Sequence, residues 1–307
     1  MIALPTVGVL GTGAVGQAVA GALVASGLCG ELLIASRTHA QTEALAADLD
    51  DMRTALGSPA RPRACRPADL TTCHAVVVAA RAHFTNTHHR DVRMGGATAN
   101  APIIRRIGHQ VLRGYPGVVL VVTNPVDLMT RLLAEACGGT RVFGIGSSLD
   151  TARYRLLLAH HLAVPVEQIH GHVIGEHGDA AVICASSTTV AGHPAAVPVE
   201  TIRAALAARP GRISAGIGRT RTGPAGAVLA ALRHLLGDAP GVIELSRPWR
   251  GGVWLGLPLA VKAGVPTIRL PELSPQETAE LDAAAAKLAT AYHHLTSTPT
   301  PAQERTS

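Results

Sequence analysis

The stretch Val7-Gly-Val-Leu10-Gly11-Thr-Gly13-Ala-Val-Gly16 restricts the fold more than any other part of the chain. A short apolar run ends in glycines spaced GxGxxG, and Ala18, Val19, Ala22 and Leu23 then recur at helical spacing. A second apolar run, Leu32-Leu-Ile-Ala35, follows. Strand, glycine turn, helix, strand is the order of a unit that binds a dinucleotide. Gly11 permits the tight turn, Gly13 lets the backbone approach a pyrophosphate, and Gly16 lets the helix sit close to the strand. Thr12, Ala14 and Val15 complete a cradle whose helix N-terminus faces the phosphates.

The end of the second strand tells which dinucleotide is expected. An acidic residue there would bond the ribose 2′-hydroxyl of NAD and repel a 2′-phosphate. This chain has Ala35-Ser36-Arg37-Thr38 instead. A hydroxyl and a guanidinium suit a phosphate, so Ser36 and Arg37 point to NADP (NADPH) rather than NAD; the bland alternative is a solvated surface arginine.

The same alternation continues. A helix is expected over residues 41–56, a Pro- and Arg-rich connection over 57–63, a strand over 75–78, a helix over 103–112, and strands over 117–122 and 142–145. Between the third strand and its helix lies a polar stretch over 81–93, longer than a turn needs, which reads as a loop over a site. Through about residue 146 this is a doubly wound parallel sheet of the Rossmann type, whose ligands bind beyond the carboxyl ends of the strands. Antiparallel strand patterns over 180–184 and 187–190 follow, with a helix over 224–236, strands over 241–245 and 267–270, and a closing helix over 275–295. The expected division is a dinucleotide-binding domain over 1–146, an α+β substrate and catalytic domain over 147–295, and a disordered tail over 296–307.

Composition excludes several functions. The chain has 307 residues, 47% apolar, enough for a substantial core, with a net charge of +6. The arginines are scattered and aromatics make up only 2%, which argues against nucleic acid and for a pull on small anions. Five cysteines, an odd number without CxxC spacing, read as reduced thiols. With no basic leader at the N-terminus and no apolar run near the ~18 residues of a membrane span, the expectation is a soluble, cytoplasmic protein that touches no membrane.

A histidine at a strand end offers the chemistry. Val173-Ile174 runs into Gly175-Glu-His177-Gly-Asp179. Alone, such a residue is commonly an ordinary loop histidine. Three other motifs accompany it: Gly11-Thr-Gly-Ala-Val-Gly16, Thr123-Asn-Pro-Val-Asp127 and Leu149-Asp-Thr-Ala-Arg-Tyr-Arg155. In order and spacing the four resemble the lactate/malate dehydrogenase family over roughly residues 7–293, and Gly218-Arg-Thr-Arg-Thr-Gly-Pro224 resembles that family's later pocket segment.

The resemblance implies a 2-hydroxyacid dehydrogenase that runs as a 2-ketoacid reductase. It makes His177 the proton donor, Asp150 the carboxylate that holds its other ring nitrogen, Arg153 the clamp for the substrate carboxylate and Asn124 a hydrogen-bond partner of the substrate oxygen. Thr123 and Asn100 fall beside the cofactor. The loop arginine that polarises the carbonyl aligns with Arg93, with Arg90 as competitor. Thr85 falls where the family carries its malate- or lactate-selecting residue, and neither the Arg nor the Gln of those enzymes is evident. Thr220 matches a substrate-facing threonine, flanked here by Arg219 and Arg221, so the pocket is expected to be roomier and more basic, for a specialised polar or anionic substrate.

His83, His88 and His89 lack acidic or cysteine partners at ligand spacing, and no metal is expected. A homodimer or homotetramer is implied by resemblance alone. Competing readings are an ordinary malate or lactate dehydrogenase and an inactive NADP-binding module.

Overall fold

The structure is a computed structural model that describes residues 4–84 and 94–297. Its first half alternates β1 (Thr6–Leu10), α1 (Ala14–Ser26), β2 (Glu31–Ala35), α2 (His39–Leu56), β3 (Arg61–Ala64), β4 (Ala75–Val78), α3 (Ala97–Arg106), β5 (Val118–Val121), α4 (Val126–Cys137) and β6 (Val142–Gly144). The six strands pair in parallel in the order β3-β2-β1-β4-β5-β6. Strands β4 and β5 are buried at every residue because helices cover both faces of the sheet, which is why they read as unbroken Val/Leu runs. The order reverses between β1 and β4, opening the crevice where such sheets hold ligands.

The second half adds α5 (Gly146–Leu162), β7 (Ile169–His170), β8 (Val173–Gly175), β9 (Ala181–Ile183), β10 (Thr189–Val190), β11 (His193–Pro194), α6 (Val199–Ile217), α7 (Thr222–Leu235), β12 (Gly241–Pro248), β13 (Trp254–Lys262), β14 (Val265–Ile268) and α8 (Pro275–Ser297). Strands β12, β13, β8 and β9 extend the parallel sheet antiparallel, with β14 on β13, to give eleven strands. The extension hangs on two single-residue bridges, Gly144 to Ser246 and Gly175 to Gly256. β7, β10 and β11 form a separate small sheet.

Helix α7 buries Pro224, Val228, Ala231 and Leu235, spaced three to four residues apart, and packs on α1 and α5. One apolar core runs beneath most of the sheet, and a smaller cluster of Tyr154, Leu158, Ile169, Val173, Ile183 and Ile202 lies under α5 and α6.

Several expectations change. The connection expected over 57–63 ends in strand β3, an edge strand, where Pro62 costs no ladder bond that an inner strand would need. Helix α3 begins at Ala97, six residues early, and passes through Pro102 before ending in a π turn at Ile107–Val111. The segment over 187–190 forms β10 in the small sheet rather than pairing with β9. Helices α6 and α8 differ in legibility: α6 buries only Ile202 and shows no apolar stripe, so its pattern is silent. Strand β13, the longest, is interrupted by Gly256 and Pro258, which hide it. Helix α8 runs to Ser297, and the remainder of the tail expected to be disordered lies outside the described residues.

All five cysteines are unpaired; burial pushes the Cys29 and Cys73 thiols up to about 12, where they are inert. Among the described residues no helix is long and apolar enough to cross a membrane.

Candidate active site

His177 sits two residues beyond the end of β8, in the turn where the strand meets the start of α5. Its Nδ1 lies 2.6 Å from Oδ2 of Asp150, and both side chains are at least nine-tenths buried. The other oxygen of that carboxylate accepts from Arg153 Nη1 at 3.5 Å, one turn further along α5. A single buried carboxylate is therefore shared by the imidazole and the guanidinium. It fixes the ring's orientation and stabilises positive charge on it, while holding Arg153 in register with the histidine.

The backbone of the histidine is held separately. The His177 N–H donates to Oδ2 of Asp127, 2.8 Å away in the first turn of α4. Burial, with a lesser push from nearby Glu176 and Asp150, raises the Asp127 carboxyl to about 7, against the opposing hydrogen bond from His177. Glu176, next in the turn, accepts from Lys287 of α8 at 2.8 Å and from the Ala180 N–H at 3.1 Å. Gly146 opens α5 against the ring itself: a Cβ there would stand 2.3 Å from both Cβ and Cγ of His177. Asp127, Gly146 and Lys287 are parts of the site that sequence reasoning missed. Asp127 closes the Thr123–Asp127 motif, but its partner is 50 residues away.

The crevice between β1 and β4 opens into a cavity of about 830 Å³, reached by Gly11, Thr12, Gly13, Ser36 and Arg37 at one end and by His83, Phe84 and Arg219 at the other. The glycines divide their work. Gly11 has φ +116°, and a Cβ on Gly16 would lie 1.8 Å from the Gly11 carbonyl oxygen. Around Gly13 nothing lies within 4 Å of such a Cβ, so that face is open to a ligand rather than packed by protein. Ala14 and Val15 form the first turn of α1, which has no side-chain cap, so its N–H groups face the cavity mouth. These features fit a dinucleotide with its pyrophosphate on the glycine turn.

At the Ser36 end of the cavity Arg37 is exposed and has no carboxylate partner among the described residues, whereas Arg66 across the cavity is tied to Asp69 at 3.1 Å. The Ser36 hydroxyl donates to the Thr38 carbonyl at 3.2 Å.

Asn100 and Thr123 act as braces beneath this cavity. Asn100 Oδ1 accepts the Ala82 N–H and its Nδ2 donates to the Asn124 carbonyl, each at 2.8 Å. Thr123 Oγ1 donates to the Ala80 carbonyl at 2.6 Å. Asn124 is exposed at the end of β5, before a cis bond to Pro125.

The later pocket segment is split. Arg219 lines the dinucleotide cavity beside Arg81, whereas Thr220 and Arg221 line a smaller cavity with Arg153. Burial, helped by Arg219, lowers the Arg81 pKa below its usual value. Thr85, Arg90 and Arg93, with His88 and His89, lie outside the described residues.

A carboxylate-tethered histidine with a guanidinium beside it, at the carboxyl edge of a doubly wound sheet next to a dinucleotide-shaped crevice, defines a dehydrogenase-type oxidoreductase. The sequence matches the lactate/malate dehydrogenase NAD binding domain over residues 6–144 and the lactate/malate dehydrogenase alpha/beta C-terminal domain over residues 147–206. It is 35% identical to an L-lactate dehydrogenase of Deinococcus radiodurans over 297 residues, 92% of this chain and 96% of that protein. Against an L-lactate dehydrogenase of Thermus aquaticus the identity is 33% over 292 residues, 88% of this chain and 93% of the other.

Among solved structures, the minor L-lactate dehydrogenase of Enterococcus mundtii superposes with a TM-score of 0.86 at 25% identity, over 95% of this chain and 98% of that one. The malate dehydrogenase of Cryptosporidium parvum shares the fold, with a TM-score of 0.87 at 22% identity, over 96% of this chain and all of the other. The chain belongs to the lactate/malate dehydrogenase family.

Proposed function

We propose that this protein interconverts a 2-ketoacid and a 2-hydroxyacid using NADP(H), and that it runs as a reductase on a substrate with an additional polar or anionic group. The observation that carries the reading is the Asp150 carboxylate shared by His177 and Arg153. It sets a proton donor and a carboxylate clamp in one rigid unit, as reduction of a carbonyl beside a carboxylate requires.

A bound nicotinamide supplies the hydride. Arg153 receives the substrate carboxylate as a two-pronged donor and so fixes which face of the ketone is presented. His177, oriented through Nδ1 by Asp150, gives the proton from Nε2 to the oxygen as negative charge develops there, and takes it back in the oxidative direction. Asn124 donates to the same oxygen, and Arg93, or Arg90, polarises it from the loop. The glycine turn over 11–16 holds the pyrophosphate, and Arg37, with Ser36, takes the 2′-phosphate. Asn100 and Thr123 keep the floor of the cofactor site in place. Homodimers or homotetramers are the expected assembly.

The test is a matrix of NADPH and NADH against 2-ketoacids varied in length and terminal charge. Highest kcat/KM with NADPH and a polar-ended ketoacid supports the reading. Turnover confined to pyruvate or oxaloacetate with NADH replaces it with an ordinary lactate or malate dehydrogenase, the reading that the names of the relatives favour. NADPH binding without turnover on any ketoacid makes the chain a binding module.

A further inference from the structure

Arg153 also lines a second cavity, about 260 Å³, walled by α5, α6 and the turn into α7. Three of its eleven lining residues are arginines, Arg153, Arg209 and Arg221, and none is acidic. The wall between them is apolar or hydroxylic, including Leu156, Ile213 and Thr220. Arg209 and Ile213 stand one turn apart on the same face of α6, which turns that face toward Arg153.

The charge in this cavity is unbalanced. Asp150 offsets Arg153 but is shared with His177. Among the described residues neither Arg209 nor Arg221 has a carboxylate partner. The contrast lies on α6 itself, where Arg203 is held by Glu280 of α8 at 3.0 Å. Arg209 is half-buried in spite of having no such partner. Positive groups gathered around a small concavity repel one another and focus potential into it, and an anion relieves both. The volume equals roughly nine waters at ~30 Å³ each, room for a chain of a few carbons with a terminal group.

We infer that this cavity takes the far end of the substrate, and that Arg209, aided by Arg221, selects a 2-ketoacid carrying a second carboxylate or comparable anion. The substrate is then held at both ends by guanidinium groups, Arg153 on the carboxylate beside the ketone and Arg209 on the distal one. The inference rests on the ketoacid reading above, and it places selection on α6 rather than on the loop alone.

The test compares 2-ketodicarboxylates with methyl-ended 2-ketoacids of equal length in the wild type, Arg209→Gln and Arg209→Lys. The wild type is expected to prefer the dicarboxylate. Arg209→Gln should raise KM for it by about tenfold or more, with kcat changing far less, and Arg209→Lys should restore part of the loss. An unaltered ratio of dicarboxylate to monocarboxylate KM in Arg209→Gln, or a wild-type preference for methyl-ended acids, overturns the inference.

Calorimetric titration with saturated, unreactive dicarboxylates and monocarboxylates separates this site from the chemistry. Arg209-dependent dicarboxylate binding without ketoacid turnover keeps the site and removes the reductase reading. Binding indifferent to Arg209 overturns the site whatever the turnover.

Discussion

Gly146 and His177 occupy one shared space: the hydrogen of the glycine faces the imidazole where any side chain would stand 2.3 Å from its Cβ and Cγ. The ring is thus positioned from three sides, by the Asp150 carboxylate, by the Asp127 carboxylate on its own N–H, and by the bare backbone that opens α5. Gly146→Ala should push the ring off its hydrogen bond to Asp150. A displacement of about 1 Å costs on the order of 10²-fold in rate, so kcat/KM should fall by about that factor. Fluorescence titration should show dinucleotide binding retained, because the crevice at Gly11 and Gly13 does not include Gly146.

The glycine turn makes opposite predictions at two of its positions. Gly16→Ala sets a Cβ 1.8 Å from the Gly11 carbonyl oxygen, so the helix must move away from the strand. Overpacking of this kind costs about 1–3 kcal/mol, visible as a lower urea midpoint. Gly13→Ala meets no protein atom within 4 Å and has an ordinary φ of −73°, so the midpoint should hold. Its methyl group instead fills the space where a pyrophosphate would rest, and the dinucleotide Kd should rise by about tenfold or more, a change of ~1.4 kcal/mol. A Gly13→Ala variant with wild-type affinity would remove the phosphate from this turn.

Asp127 links folding stability to pH. Burial disfavours the charge and raises its carboxyl from an ordinary 3.8 to about 7 in the folded protein. Between those values the unfolded chain has lost the proton and the folded chain keeps it, so stability falls as pH rises from about 4 to about 7 and levels off above. At ~1.36 kcal/mol per pKa unit the contribution is at most about 4 kcal/mol. Asp127→Asn keeps an acceptor for the His177 N–H and should flatten this part of the profile. Chemical denaturation at a series of pH values measures it, and an unchanged slope in the variant would assign the dependence to another group.

Arg37→Ala separates a phosphate ligand from a solvated surface arginine. Loss of charge-assisted hydrogen bonds to a 2′-phosphate should raise KM for NADPH by about tenfold or more, while KM for NADH moves by less than about twofold. Equal effects on the two cofactors would leave Arg37 a bystander.

What was legible in the sequence shares one property. Gly11, Asn124, Asp150, Arg153 and His177 each lie in a short motif whose spacing carries the meaning, and α1, β4 and β5 carry regular apolar patterns. The residues that escaped are defined by distant partners. Asp127 acts on a backbone N–H 50 positions on, Lys287 reaches Glu176 across 111, and Gly146 matters only because a ring stands beside it. Helix α6 was silent because it buries only Ile202, and Arg209 on it reads in one dimension like any surface arginine. The division of the arginines near Thr220 was equally hidden: adjacent in sequence, Arg219 and Arg221 open into different cavities.

The bridge that carries the sheet from one half of the chain to the other is made at a glycine, Gly144 opposite Ser246, and a second glycine bridge, Gly175 opposite Gly256, joins β8 to β13 within the later half. A Cβ on Gly144 would lie 2.5 Å from Thr130 Oγ1, and one on Gly256 would lie 1.7 Å from Ser147 Oγ. The seam under His177 is therefore intolerant of change, while the cavity rim at Arg37 and the α6 wall at Arg209 stand on exposed or half-buried positions free to vary. A randomised library should divide accordingly: diversity at the two ends yields folded proteins with redirected appetites, and diversity at the seam yields little protein at all.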